Sequence, residues 1–313
     1  ITSPMFNEEE LKSEKGNVKA ELTGYMNDYA RLLWPRLQKA IGEEVPNLKE
    51  RLATINNIEL KDIREHYRRT HTAKNMRFII AGQIKHRKKE ILRNLEDWDL
   101  KEGRRFEIPK DKLHSSPAVL VKRKDASNIT FGFSMVTPRR LSIQETQAMG
   151  ALNHILNGTM SSRIFGQARK RGLVYGMGSG INSSKHYSSW DFDGEVNLET
   201  ADELFSLIQV EMVRALNGEI SDEEIEAVKT YAQGRYQMGA QTVSQISDYY
   251  TDDYFMTEKV ELYDDFPQVI KEINKPSIVE LAREFAGSGI HAFVAVGSVE
   301  KAIINQLAES LNF

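Results

Sequence analysis

Two carboxylates seven residues apart, Glu14 and Glu21, are the pair in this chain best spaced to act together. Seven residues is close to two turns of an α-helix, so both side chains fall on one face, within about 20° of each other. The stretch that carries them recurs. Asn7-Glu8-Glu9-Glu10-Leu11 aligns with Ser221-Asp222-Glu223-Glu224-Ile225 at an offset of 214, with Lys15 on Lys229 and Leu22 on Tyr236. Phe78-Ile79-Ile80-Ala81-Gly82 aligns with Phe293-Val294-Ala295-Val296-Gly297 at an offset of 215. Two separate segments sharing nearly one offset imply an internal duplication. Where the first copy has Glu14 and Glu21, the second has Val228 and Arg235, so the acidic face belongs to one copy only. Two readings are open: a solvated face in a segment that also holds Glu8, Glu9 and Glu10, or a copy specialised to use its carboxylates.

The elements that must position these residues alternate between helix and strand. Ser142-x-x-Glu145, Thr200-x-x-Glu203, Ser221-x-x-Glu224 and Ser277-x-x-Glu280 read as capping boxes at helix starts. Behind Thr200, the spacing of Leu204, Leu207, Ile208, Met212 and Leu216 predicts an amphipathic helix that stops at Gly218. Strands are expected over 76–82, 129–135, 174–181, 190–196 and 292–297, and the polar, proline-bearing stretch 101–117 reads as a connection. The expected fold class is α+β: two homologous domains of roughly 200 residues, each a mostly antiparallel sheet covered by helices, with the helices on one face. The domain boundaries expected are 1–100, a linker over 101–112, and 113–313. The second copy carries roughly 100 residues ahead of its repeated helix that the first copy lacks, so the first domain is expected to miss its N-terminal half. Such a domain should leave an open sheet edge and uncovered apolar surface, favouring self-association.

Composition narrows the function classes. Of 313 residues, 40% are hydrophobic and 28% charged, with no apolar run approaching the ~20 residues that span a bilayer, so no membrane partner is expected. A net charge of −3 gives no general pull toward nucleic acid. The chain has no cysteine, which excludes disulfides, thiolate metal sites and thiol nucleophiles, and suits a reducing compartment such as the cytoplasm.

The segment Glu14-Lys15-Gly16-Asn17-Val18-Lys19-Ala20-Glu21-Leu22 resembles the helix that carries the third zinc ligand in the pitrilysin/insulinase family of zinc metallopeptidases, which includes the mitochondrial processing peptidases. Met160-Ser161-Ser162-Arg163-Ile164-Phe165, followed by Arg171-Gly172-Leu173-Val174-Tyr175, is similar to the family's substrate-contacting stretch, and Asn75-Met76-Arg77 leading to Gly82 is also typical. The resemblance spans nearly the whole chain in the right order. It implies zinc-dependent endopeptidase activity on unfolded peptides inside a two-domain chamber. Glu21 would be a metal ligand and Glu14 a carboxylate behind it. Tyr175 would contact the substrate carbonyl or the developing oxyanion, with Arg169, Arg171 and Tyr175 as substrate-binding residues. The cofactor implied for the intact protein is Zn2+, with none expected on this chain alone, and the partners are a peptide substrate and a second copy or another family subunit.

Two departures bear on that expectation. None of the seven histidines belongs to an HxxEH motif, which the resemblance places upstream of Glu14. The arginine that the family often places seven residues before the tyrosine is Ala168 here, with Arg169 adjacent. Other features have ordinary readings. Gly172, Gly176, Gly178 and Gly180 run through a strand with no helix behind them, against a phosphate loop. His154 reads as a core or surface histidine, the cluster of Glu65, His66 and His71 as structural or surface, His86-Arg87-Lys88-Lys89 as a solvated helix end, and the tyrosines of 249–255 as packing between the copies. The alternative function is a non-catalytic family member that acts as a peptide-binding or structural subunit of a complex.

Overall fold

The computed structural model describes residues 2–311 and 313. The first third of the chain forms helices α1 (Glu8–Tyr25), α2 (Tyr29–Ala40), α3 (Leu48–Ile55), α4 (Leu60–Thr70) and α5 (Lys88–Glu96). The middle forms β1 (Val119–Lys122), β2 (Ile129–Thr137), α6 (Ile143–Asn157), α7 (Phe165–Lys170), β3 (Val174–Ser183), β4 (Ser188–Val196) and α8 (Ala201–Leu216). The last third forms α9 (Asp222–Met238), α10 (Val243–Thr257), α11 (Phe266–Glu272), α12 (Lys275–Gly287), β5 (His291–Gly297) and α13 (Lys301–Glu309). No described helix is long and apolar enough to cross a membrane.

The chain folds into two compact units whose segments interleave. The larger holds Met26–Asn47, Lys110–Tyr236 and Asp264–Phe313; the smaller holds the chain up to Tyr25, Leu48–Pro109 and Gln237–Tyr263. Helix α2 therefore belongs with the later sequence and α10 with the earlier.

In the larger unit a five-stranded sheet has the order β1-β5-β2-β4-β3, antiparallel except for the β1–β5 pair. This is the mostly antiparallel, helix-covered sheet expected from the sequence. Side chains alternate across it. Ile129, Phe131, Phe133 and Met135 of β2 and Phe293 and Ala295 of β5 enter a core with Leu152 of α6, Phe205 of α8 and Leu281 and Phe285 of α12. Val136, Val294 and Val296 point the other way and pack with Leu33 and Leu37 of α2. Both faces are thus covered, where helices on one face alone were expected. The reason is local: Gly132 presents no side chain, and Leu33 lies close over it. Every position of β2 is consequently buried, as in a strand sandwiched between layers.

The smaller unit, among its described residues, is helical. Leu22 of α1 and Leu48 and Ile55 of α3 are buried in it. Lys15 of α1 donates to the Asn56 carbonyl at 3.3 Å, and Phe6 meets Tyr67 of α4 edge-on with ring centroids 5.4 Å apart. The expected strand over 76–82 is not formed. The segment has no ladder partner among the described residues, and an isolated strand cannot satisfy its backbone groups.

Two capping expectations are also corrected. Thr200 makes no side-chain cap, because Asn197 starts a short 3₁₀ turn three residues earlier. Ser277 lies inside α12, whose cap is Asn274. The boxes at Ser142 and Ser221 form as read, and a further one, Thr242 with Gln245, starts α10. Strand β1 went unread because its four residues sit next to the polar connection.

Candidate functional site

Strand β3 is an edge of the sheet, hydrogen-bonded to β4 on one side only. Its start is irregular. Val174 pairs with Val196 and Met177 with Gly194, so three steps along β3 oppose two along β4. Tyr175 and Gly176 together stand where β4 has one residue, Glu195, a β-bulge with one surplus residue, and bulges at sheet edges re-aim side chains. Val174 is buried on one flank and Met177 packs on the core on the other, while Tyr175 is thrown outward to 86% exposure. A regular strand would have kept strict alternation through this point.

The approach to the bulge is held from below. Helix α7 ends at Arg171, Gly172 turns the chain at φ +69°, and the Leu173 N–H donates to the Ala168 carbonyl at 2.9 Å. Arg169 lies with its guanidinium 4.6 Å from the centre of the Tyr175 ring, in a cation–π contact, and donates to the Val174 carbonyl at 3.4 Å. Arg171 instead pairs with Glu203 at 3.5 Å. Ala168 is fully buried in the core, where an arginine would place an unpaired charge. Among the basic residues of this turn, Arg169 is the one brought to Tyr175.

Arg163, in the preceding turn, works inward. Its guanidinium grips the Glu224 carboxylate bidentately at 2.6 and 2.5 Å, donates to the Glu219 carbonyl at 2.7 Å, and lies 3.8 Å from Glu211. It anchors the α7 turn to the start of α9. Burial pushes the Glu224 carboxyl up, but the hydrogen bonds from Arg163 and Ser221 outweigh it and hold it below the usual carboxylate range.

Of the β3 glycines, Gly178 serves packing, while Gly176 and Gly180 face open space. A Cβ on Gly178 would stand 2.5 Å from the Asp193 carboxylate of β4. Asp193 and its neighbour Asp191 are both raised, first by burial and, for Asp193, then by repulsion from Asp191. Asp191 accepts from Ser134, Ser189 and Asn182 at 2.5, 2.6 and 2.8 Å. The alternation Asp191-Phe192-Asp193 facing Gly178 and Gly180 was the sequence signal for this polar layer; composition alone concealed it.

In the smaller unit, Glu14 and Glu21 both project from α1 into solvent. Asn17 donates to Glu14 at 3.4 Å, and the Tyr25 hydroxyl donates to Glu21. Val228, aligned with Glu14, is buried instead, so α9 turns to its core the face on which α1 carries a carboxylate. Catalytic zinc takes three protein ligands and an open position. Among the described residues no group of three or more His, Asp or Glu side chains is gathered to hold a metal, and Glu21 offers one carboxylate. The residues present do not by themselves fit zinc. His154 stacks on Tyr231 at 3.9 Å and His71 on Tyr67 at 4.5 Å, both in packing contacts. Tyr249 meets Tyr250 and Tyr263 edge-on, each at 5.1 Å.

The chain is similar in sequence and in fold to several known proteins. It is 22% identical over 290 residues to the uncharacterized zinc protease YmxG of Bacillus subtilis (strain 168), covering 89% of this chain and 68% of that protein. A protease from Helicobacter pylori shares the fold with a TM-score of 0.80 at 18% identity, over 95% of this chain and 73% of that one. A peptidase M16 inactive domain from Pseudomonas fluorescens does so with a TM-score of 0.81 at 16% identity, over 95% and 72%. Residues 57–231, more than half of the chain and including α7, the bulge and all of β3, match the profile of the peptidase M16 inactive domain, and the chain belongs to that family.

Proposed function

We propose that this chain is part of a zinc-dependent endopeptidase that hydrolyses unfolded peptides inside a two-domain chamber, and that its own share of the task is to hold the peptide. The observation that carries this reading is the bulged edge of β3. It offers backbone groups unpaired on one side, with Tyr175 and Arg169 standing together at its start. An extended peptide adding to that edge draws affinity from main-chain hydrogen bonds, each contributing about 0.5–1.5 kcal/mol net. Tyr175 then supplies an aromatic face and a hydroxyl that reach a peptide carbonyl, while Arg169 fixes the ring. Arg171, held by Glu203, is a secondary contact. In the intact protein Glu21 is the one zinc ligand this chain contributes and Glu14 the carboxylate that supports the site. Pairing with a second copy or with another family subunit belongs to the same proposal.

The test is binding of a fluorescein-labelled unstructured peptide, read by anisotropy. Tyr175→Ala and Arg169→Ala should each weaken binding about tenfold, the equivalent of ~1.4 kcal/mol, with unchanged thermal melts. A peptide N-methylated at alternate residues should lose binding altogether. Wild-type affinity in both variants, or undiminished binding of the N-methylated peptide, would remove β3 as the grip.

A second reading, a non-catalytic peptide-binding or structural subunit, is favoured by the match to a domain described as inactive. Ala168 gives it no support, since that position is core. Peptidase assays on the intact protein separate the two: peptide binding without chelator-sensitive cleavage would select the subunit.

A further inference from the structure

Only part of the β3 edge is open to an added strand. The Ser184 N–H donates to the Tyr187 carbonyl at 2.9 Å, so the β3–β4 hairpin closes on a hydrogen-bonded pair. Alternation along the antiparallel ladder then turns the backbone groups of Asn182, Gly180 and Gly178 toward β4, and those of Ser183, Ile181, Ser179 and Met177 away from it. Two arginines close the ends. Arg140 donates to the Ser183 and Ser184 carbonyls at 3.0 and 2.9 Å, and Arg169 to the Val174 carbonyl. Between them, the Ser179 carbonyl takes one long bond, 3.3 Å, from Asn153. The open stretch is 177–181, with Gly178 and Gly180 inside it.

The two faces of that stretch differ. Met177 and Ile181 pack on the core. Gly178 and Gly180 lie on the opposite face, where a Cβ on Gly180 would meet nothing within 4 Å. The three atoms nearest to a Cβ on Gly178 all belong to the Asp193 carboxyl group. Asp193 thus leans from β4 across Gly178, toward the free edge. Its neighbour Asp191 is held by three donors, whereas no donor or cation reaches the Asp193 carboxylate among the described residues. A half-buried carboxylate left in that state gains from any cation brought to it.

We propose, resting on the reading of β3 as the peptide-binding edge, that Asp193 is a specificity-determining residue of that edge and selects peptides with lysine or arginine opposite Gly178. A strand added along 177–181 lies about 4.8 Å from β3 and places the side chain opposite Gly178 on the glycine face. Because Gly178 has no side chain, nothing on β3 stands between that residue and Asp193. A lysine or arginine lays its stem across the glycine and brings its charge to the carboxylate. Glutamate at the same place meets Asp193, and Asp191 two residues along, as like charges. Arg169, at the Tyr175 end, opposes a basic side chain there, so the preference belongs to the middle of the edge.

The test uses the intact protein and the labelled peptide of the binding assay above, its basic residues replaced by norleucine and a single lysine moved through successive positions. Where it falls opposite Gly178, lysine should tighten binding about fivefold over norleucine, and glutamate should weaken it. Raised salt should shrink the lysine advantage. Asp193→Asn should bring the lysine-to-norleucine ratio to one, and Asp193→Glu should keep it, with the melt of each variant as the check on folding. Equal binding of lysine and norleucine peptides at every position, with binding still lost on N-methylation, overturns the role of Asp193 and leaves the β3 grip standing. A lysine preference that persists in folded Asp193→Asn assigns the selection to another carboxylate and also overturns it. Binding that N-methylation does not weaken removes the grip, and this selection with it.

Discussion

Replacing Arg163 by alanine should destabilise the larger unit far more than replacing Arg169, although six residues separate them. Arg163 is 15% exposed and its guanidinium makes three charge-assisted or carbonyl contacts at 2.5–2.7 Å with Glu224 and Glu219. Removing one member of a fully buried ion pair costs about 3–5 kcal/mol, because the remaining charge keeps its desolvation without its partner. Glu224 retains 29% of its side-chain surface in water, which recovers part of that, so about 2–3 kcal/mol is expected. Arg169→Ala and Tyr175→Ala act on exposed groups and should stay within about 0.5 kcal/mol. The assay is urea unfolding followed by circular dichroism at pH 7, with Arg163→Met/Glu224→Met as the paired variant. That double variant should recover most of the loss, since neither charge is then left alone. The depressed Glu224 carboxyl sets the pH arm. Its folded-state pKa lies below the unfolded value, so its stabilisation is present above about pH 4.3 and is lost as pH falls through the folded value. Arg163→Ala should flatten that loss. A wild-type urea midpoint for Arg163→Ala, or one shifted no further than for Arg169→Ala, would refute the assignment of Arg163 to holding the turn.

Three further outcomes are expected. Gly42→Ala should cost about 2 kcal/mol or more in urea unfolding, because φ is +98° and the new Cβ would collide with the Lys112 carbonyl. Arg139 joins Glu145 and Glu284 at 2.8 and 2.6 Å and lowers both carboxyls; Arg139→Gln should cost about 1 kcal/mol at neutral pH, discounted for its exposure, and the difference should begin to fade below about pH 4.3, the unfolded value, and vanish as the pH falls through the lowered folded values. The purified 313-residue chain should bind no stoichiometric zinc in calorimetry and cleave no unstructured peptide, because one exposed carboxylate does not assemble a three-ligand site; chelator-sensitive cleavage by that chain would contradict this.

Local rules wrote much of this protein. The helix starts at Ser142 and Ser221 and four of the five strands could be read from caps and periodicity, because those signals act over a few residues. So could the family, carried by Glu14 and Glu21 with Tyr175 and by their order along the chain. The repeat offset was also in the sequence, and with it the expectation that 76–82 resembles 291–297. Tertiary structure decided the rest, wherever the outcome depends on what lies opposite a residue. Whether 76–82 pairs depends on neighbours that its own residues do not specify. Whether Arg163, Arg169 or Arg171 meets Tyr175 depends on one surplus residue in β3 and on a core that closes over Ala168. The exchange of α2 and α10 between compact units, and the second covered face of the sheet, follow from contacts between segments far apart in the chain. A sequence carries those contacts only as shape and hydrophobicity spread over many residues, and packing is what resolves them.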